Sequence, residues 1–292
     1  MNILTFDIEE WAQAKAGGYG YAELYAKYNN FLYKIMDVLD ERKFKGTFFC
    51  TGMMATDFPG VVKLIHSKGH EIGCHSYSHT WLNKMSQEEV YHDTRQAVDA
   101  LEQCISQKVK SYRAPAFSIG NNNKWVLEIL SECGITIDAS VYPAKRDLGG
   151  FPEFKLKTPS IVYCNKYIIK EFPICTIKLL DHDLAYSGGG YFRFFPLSFI
   201  KKQIETSDYT MTYFHIRDLN PDTDRMMSRK DFENYYKISG STKNRIVRYV
   251  KSNIGKKGAF DKLIKLIQFE SFVSIEQADK MIDWDQAASI VL

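Results

Sequence analysis

The chain has 292 residues, 45% hydrophobic and 25% charged, with a net charge of +3. That balance suits a globular fold of one large or two small domains and argues against a nucleic-acid binder, whose footprint is a strong basic excess. Six cysteines without a CxxC pair predict reduced thiols, no apolar run approaches the ~18 residues of a membrane span, and the opening MNILTFDIEEW turns acidic too early for a secretory signal, so a cytoplasmic protein is expected.

In chain order, NILTFD (2–7) reads as a first strand. Over 21–41, Leu24, Tyr28, Phe31, Ile35 and Leu39 recur at steps of three and four, which is helical spacing. GTFFCTG (46–52) reads as a strand, FPGVVKLIHSKG (58–69) as a helix closing on Gly69, and EIGCH (71–75) as a third strand. Ser86 with Glu89 forms a capping-box start for a helix whose face is Val90, Thr94, Val98, Leu101 and Ile105. SYRAPAF (111–117) is strand-like up to its proline, KWVLEILSECG (124–134) is a helix with a glycine stop, and ITIDAS (135–140) is a strand. Four strand–helix units in series predict a parallel sheet, as a doubly wound layer or a barrel, with ligands at the carboxyl ends of its strands. After residue 143 the pattern weakens to short strand-like pieces, the glycine run SGGGYFR (187–193), a helix over 197–206 and a strand over 209–216. From 222 the chain is polar and then helical, with a basic stretch at 243–257.

The residues at the strand ends carry the chemistry. The first strand ends in Asp7, Glu9 and Glu10, the third in His75 followed by His79, the fourth in Arg113, and a later one near His215. Alternation along a strand puts Asp7 and Glu9 on one side and Ile8 and Glu10 on the other. Two imidazoles and one carboxylate form a three-ligand set for a catalytic divalent metal, leaving a second carboxylate to take a proton. The H-x-x-x-H spacing alone is a weak signal, and Ser76 stands where a zincin carries glutamate, so that class of metalloprotease is disfavoured.

In these motifs the chain resembles the polysaccharide deacetylases, the carbohydrate esterases that share the NodB homology domain. LTFDIEE, GHEIGCHSYSH, RAPAF and TYFH follow one another in that family's order over roughly residues 1–220. The acid-x-acid-acid-aromatic start and the GGGYFR segment are similar to a subgroup associated with bacterial exopolysaccharide and surface-glycan biosynthesis. The resemblance implies a distorted (β/α) barrel of mostly parallel strands over 1–220, with a helical extension, 221–292, packed on it. It also implies metal-dependent removal of an acetyl group from an N-acetylated sugar, with zinc as the expected ion and cobalt or another as alternatives. By that match Asp7 is the general base, Arg113 holds it ionised, His75 and His79 are metal ligands, and His215 protonates the departing amine. Where many relatives carry two adjacent aspartates this chain has Asp7-Ile8, so the third ligand falls to Glu9, with Glu10 as the alternative. Asp138 is a candidate to orient a catalytic histidine, or else a plain turn residue.

Other features carry two readings each. Trp11 either stacks on a sugar or buries against the first helix. Gly188–Gly190 either bring backbone close to a sugar, beside Tyr191 and Arg193 as substrate contacts, or form a flexible turn. His66, His70, His92 and His182 have no supporting partner. The stretch 243–257 is a solvated helix face or a dock for anionic membrane, where a lipid-linked saccharide would wait. Two alternatives to the deacetylase are a hydrolase of another amide or a cyclic ureide, and a glycan-binding relative without turnover.

Overall fold

In the computed structural model, which describes residues 1–17, 21–146, 149–222, 225–236 and 238–292, the first half of the chain alternates strand and helix. Strands β1 (Asn2–Ile3) and β2 (Thr5–Ile8) lead into helices α1 (Glu10–Gly17) and α2 (Tyr21–Arg42). Strand β3 (Thr47–Cys50) leads into α3 (Gly52–Asp57) and α4 (Pro59–Ser67), and β4 (Glu71–Cys74) into α5 (Gln87–Ile105). Strand β5 (Ser111–Tyr112) leads into α6 (Val126–Glu132), which is followed by β6 (Ile137–Asp138). The start of α5 is the expected capping box, with Ser86 and Glu89 each accepting from the other's backbone N–H.

The later half departs further from its weak pattern. Strands β7 (Ser160–Cys164) and β8 (Tyr167–Glu171) form a hairpin across Asn165-Lys166, with Asn165 at φ 49°. Strands β9 (Thr176–Leu179) and β10 (His182–Ala185) form a second, separate hairpin. Helices α7 (Gly189–Phe194) and α8 (Leu197–Glu205) follow. The strand expected over 209–216 is broken into β11 (Thr210–Met211) and β12 (Phe214–His215), because the Thr212 hydroxyl bonds to Ile3 and Thr5 backbone across the ladder. Then come α9 (Ile216–Leu219), α10 (Arg229–Tyr236), α11 (Thr242–Asn253), α12 (Ala259–Phe269), α13 (Ile275–Met281) and β13 (Ala288–Val291). The segment expected to be a purely helical extension therefore ends in a strand, which pairs in parallel with β7.

Among the described residues one nine-stranded sheet has the order β12-β2-β3-β4-β5-β6-β8-β7-β13, parallel throughout except at the β7–β8 hairpin. The expected distorted (β/α) barrel is thus open: its two ends, β12 and β13, do not pair. Helices cover the sheet largely through faces the periodicity anticipates, with Tyr28, Ile35 and Leu39 of α2 and Val90, Val98 and Leu101 of α5 buried, while Leu32 replaces the half-buried Phe31 on the α2 face. Phe6 stacks on Phe48 at 4.8 Å and also meets Phe214, tying β2 to both neighbours. Burial of each such ring stabilises the fold by roughly 2–3 kcal/mol.

The glycine run is not a flexible turn. Gly188 precedes α7 and pairs with Tyr213, and a Cβ on it would fall 2.0 Å from the Tyr213 carbonyl oxygen. Glycine is needed at 188 for the close approach of two backbones, while Gly189 and Gly190 line a large cavity.

His70, for which the sequence offered no partner, is buried at the amino end of β4, where its Nδ1 accepts the Gly46 N–H at 3.3 Å. Burial, reinforced by Lys45, pushes its pKa down to about 4. The folded value lies below the unfolded one, so the neutral ring's contribution is present above about pH 6.5 and is lost as pH falls toward the folded value. A denaturant-unfolding series from pH 7 to pH 4 should show a loss on the order of 2–3 kcal/mol that His70→Asn lacks. Identical pH slopes in the two proteins would show that His70 is not buried neutral.

Candidate active site

Because β2, β3, β4, β5 and β12 run parallel, their carboxyl ends open on one side of the sheet. In register, His215 of β12 pairs with Asp7 of β2, and Cys74, the last residue of β4, pairs with Tyr112 of β5. The next residues along β4 and β5 are His75 and Arg113. The topology therefore delivers Asp7, Glu9, His75, Arg113 and His215 to one place, and all but Arg113 line a cavity of about 580 Å³.

Arg113 has no exposed surface. Its Nη1 donates to Asp7 Oδ1 at 2.9 Å and to Thr5 Oγ1 at 2.6 Å, its Nε donates to the Ala139 carbonyl at 3.2 Å, and its guanidinium lies over Phe49 at 4.3 Å. Burial would raise the Asp7 pKa, but Arg113, with His75 and His215, more than offsets it and holds the carboxyl below its ordinary range. Asp7 Oδ2 is left facing His215 Nε2 at 3.7 Å.

Glu9, His75 and His79 point their ligand atoms at one another, all within 4.8 Å. Glu9 Oε2 lies 3.5 Å from His75 Nε2 and closer still to His79 Nε2. His75 Nδ1 donates to the Arg113 carbonyl at 2.7 Å, which orients the ring with Nε2 toward Glu9. Neither Glu9 Oε2 nor His75 Nε2 has a well-formed hydrogen bond, although both are buried. Against burial, the charge of His79 and contacts from both imidazoles hold the Glu9 pKa well below the usual carboxylate range.

The turn that presents His79 is strained: Ser76 and His79 both have positive φ, 60° and 61°. Such a conformation costs roughly 1–2 kcal/mol per residue. Ser76 Oγ accepts the His79 N–H at 2.9 Å, and Asp93 of α5 accepts the Tyr77 and Ser78 N–H groups at 2.8 and 3.4 Å. Those bonds compensate the backbone and set the two rings 5.1 Å apart.

Asp7 and Glu9 do share a side, since His215 Nε2 reaches Glu9 Oε1 at 4.0 Å as well as Asp7. Glu10 does not continue the alternation, because β2 ends at Ile8 and α1 starts at Glu10. Its carboxylate accepts the Arg217 N–H at 3.0 Å and the Glu9 N–H at 3.3 Å, outside the cluster of ligand atoms. Burial and the adjacent Glu9 raise its pKa to about 7.

Where two readings stood open, the contacts choose between them. Asp138 is buried against Ser140, at 2.5 Å, and the Glu171 carboxyl, and orients no histidine. The carboxylate that does so is Asp218, with Oδ2 3.3 Å from His215 Nδ1. Burial would lower the His215 pKa, but the hydrogen bond and charge of Asp218, with Asp7 and Glu9, raise it to about 10. The signal missed was His215-x-x-Asp218, with His215 capping α9 and Asp218 in its first turn. Trp11 is 1% exposed, its ring against Tyr28 and its Nε1 donating to Asn29, so it cannot stack on a sugar. Tyr191 does line the cavity. Arg193 reaches the same wall, but its guanidinium is committed to the Lys251 and Ser252 carbonyls and to Asp218 at 3.5 Å. The wall also takes Tyr235, Tyr236 and Arg248 from α10 and α11, none of which the sequence had suggested.

The histidine–carboxylate cluster thus lies at the carboxyl edge of a mostly parallel sheet, and comparison with known proteins shows what the chain resembles. Residues 3–137 match the polysaccharide deacetylase family, and residues 139–278 match a domain of unknown function, DUF3473. A peptidoglycan-N-acetylglucosamine deacetylase of Bacillus cereus is 34% identical over 127 residues, 41% of this chain and 46% of that protein. The peptidoglycan-N-acetylmuramic acid deacetylase PdaA of Bacillus subtilis is 36% identical over 62 residues, 21% of this chain and 24% of its own. The aligned region thus spans less than half the length of these curated relatives. A Mycobacterium smegmatis crystal structure assigned to the polysaccharide deacetylases shares the fold, with a TM-score of 0.64 at 16% identity over 100% of this chain and 92% of that one.

Replacing Asp218 by Asn removes the charge that holds the His215 proton. In chelator-treated protein, NMR titration should show the His215 pKa falling by about one pH unit or more. An unchanged titration would mean Asp7 and Glu9 alone sustain it.

Proposed function

We propose that this protein is a metal-dependent deacetylase that hydrolyses the N-acetyl group of an amino sugar in a surface polysaccharide or its precursor. The observation that carries the reading is the convergence of Glu9, His75 and His79 ligand atoms beside an Arg113-paired Asp7 and an Asp218-paired His215. The donor set fits a divalent cation: two ring nitrogens and one carboxylate oxygen, with buried Glu9 Oε2 and His75 Nε2 lacking well-formed hydrogen bonds. Zinc suits that set best, and cobalt is its nearest substitute.

A cation held there would lower the pKa of a water and polarise the acetyl carbonyl. The chain's own residues do the rest. Asp7, kept ionised by Arg113 on Oδ1, presents Oδ2 to the cavity and accepts the proton the water gives up as its oxygen bonds to the acetyl carbon. His215, protonated at neutral pH, gives its proton to the amide nitrogen as the carbon–nitrogen bond breaks, yielding acetate and a free amine. Asp218 keeps the imidazolium oriented. A glycan-binding protein would need neither proton acceptor nor donor, and a protein cleaving another amide would use the same groups on a different substrate. The acetylated-sugar reading is supported by the N-acetylated glycans that the named relatives deacetylate.

The test is elemental analysis together with acetate release from N-acetylglucosamine oligomers. The wild type should hold about one zinc per chain and release acetate. Asp7→Asn should keep the metal and lose roughly 10²–10⁴-fold in turnover. Glu9→Ala should lose the metal itself. Metal without acetate release from any N-acetylated glycan would leave the other-amide reading in place, and unchanged turnover in Asp7→Asn would remove Asp7 as the base.

A further inference from the structure

An amphipathic helix on a globular protein ordinarily turns its apolar stripe to the core. Helix α11 does the reverse. Ile246, Val247 and Val250 lie on one face, continued by Ile254 just past the helix end, and each is 43–51% exposed. The polar face is the one that meets the protein: Asn244 donates to the Ser239 carbonyl, Arg245 to the Met227 carbonyl at 3.0 Å, and Arg248 lies over Tyr236 at 4.8 Å. Nothing among the described residues covers the apolar stripe, and a contiguous exposed patch of this kind marks an interaction surface.

Charge selects the occupant. Residues 241–260 contain six basic side chains and no acidic one. Pairing of this face with a second copy would bring those charges together, whereas an anionic bilayer attracts them while it takes up the apolar stripe. The stripe is also continuous with the catalytic cavity: Ile254 lines its rim beside Phe194, which is 63% exposed. No described helix is long and apolar enough to cross a membrane, so the contact is one of lying on the surface.

We propose that α11 docks the protein on an anionic lipid bilayer and thereby holds the cavity at the interface, to receive an N-acetylated saccharide carried on a lipid. The bilayer contact stands on its own, while the lipid-carried substrate rests on the deacetylase reading above.

The full chain is to be sedimented with phosphatidylcholine vesicles with and without phosphatidylglycerol. At low salt the wild type should pellet with the phosphatidylglycerol vesicles and stay in solution with neutral ones, and added salt should release it. The exposed double substitution Ile246→Asp with Val250→Asp should cut the bound fraction about tenfold or more. It should leave acetate release from a soluble N-acetylglucosamine oligomer unchanged. Turnover of a lipid-tethered N-acetylglucosamine in the same vesicles should exceed that of the soluble sugar in the wild type and lose the advantage in the variant. Docking is overturned if the wild type stays in solution with anionic vesicles at low salt, if the double variant binds as well as the wild type, or if light scattering shows a dimer that the variant dissolves in place of vesicle binding. Pelleting without acetate release from any sugar would sustain the docking and sink only the deacetylase reading.

Discussion

A guanidinium shut away from water governs this protein. Arg113 has no solvent to stabilise its charge, and an unpaired buried ion costs several kcal/mol, so its surroundings are constrained to answer it. Asp7 supplies the opposite charge, Thr5 and the Ala139 carbonyl take further N–H groups, and Phe49 offers its ring face. These partners come from β2, β3 and the loop after β6, so one side chain pins the relative heights of three strand ends. The same residue's carbonyl orients the His75 ring. Breaking the pair would leave Asp7 buried without its main partner and, through β5, loosen the histidine beside it.

The electrostatics of the cavity follow from that anchoring. Two acids one residue apart on a strand would ordinarily repel, yet each is drawn to a different cation: Asp7 to Arg113, Glu9 to the imidazoles. For Glu10, third in the row, burial and the adjacent Glu9 together outweigh the pull of His215, and it holds its proton more tightly. His215 sits among these acids and Asp218, and the sum of their fields keeps it cationic despite burial. A carboxyl whose pKa is lowered and an imidazole whose pKa is raised thus face each other 3.7 Å apart, each set by its own surroundings.

Much of this was legible in the sequence because it depends on period and strand order. The α2 and α5 faces, the Ser86–Glu89 cap and the acids and histidines at strand ends need only alternation and helical spacing to be seen. What escaped depends on where a strand stops. Alternation through Glu10 fails because β2 ends two residues earlier, and Asp218 was hidden because α9, only four residues long, shows no periodicity. Trp11 was ambiguous for want of its neighbours, since only the fold shows that Tyr28 and Asn29 of α2 enclose it. Arg193 and the residues of α10 and α11 join the cavity through contacts across tens of residues, which no local pattern encodes.

The seam between the two matched stretches, at residue 138, runs through the middle of the sheet, where β6 bonds to β5 on one flank and β8 on the other. Asp7, Glu9, His75, His79 and Arg113 fall before that seam; His215 and Asp218 fall after it, and β12 returns to lie against β2. The stretch of undefined role is therefore no appendage trailing a finished site. It closes the centre from the far flank, and a lineage that shed or swapped it would inherit a cluster of acids and imidazoles facing an empty wall.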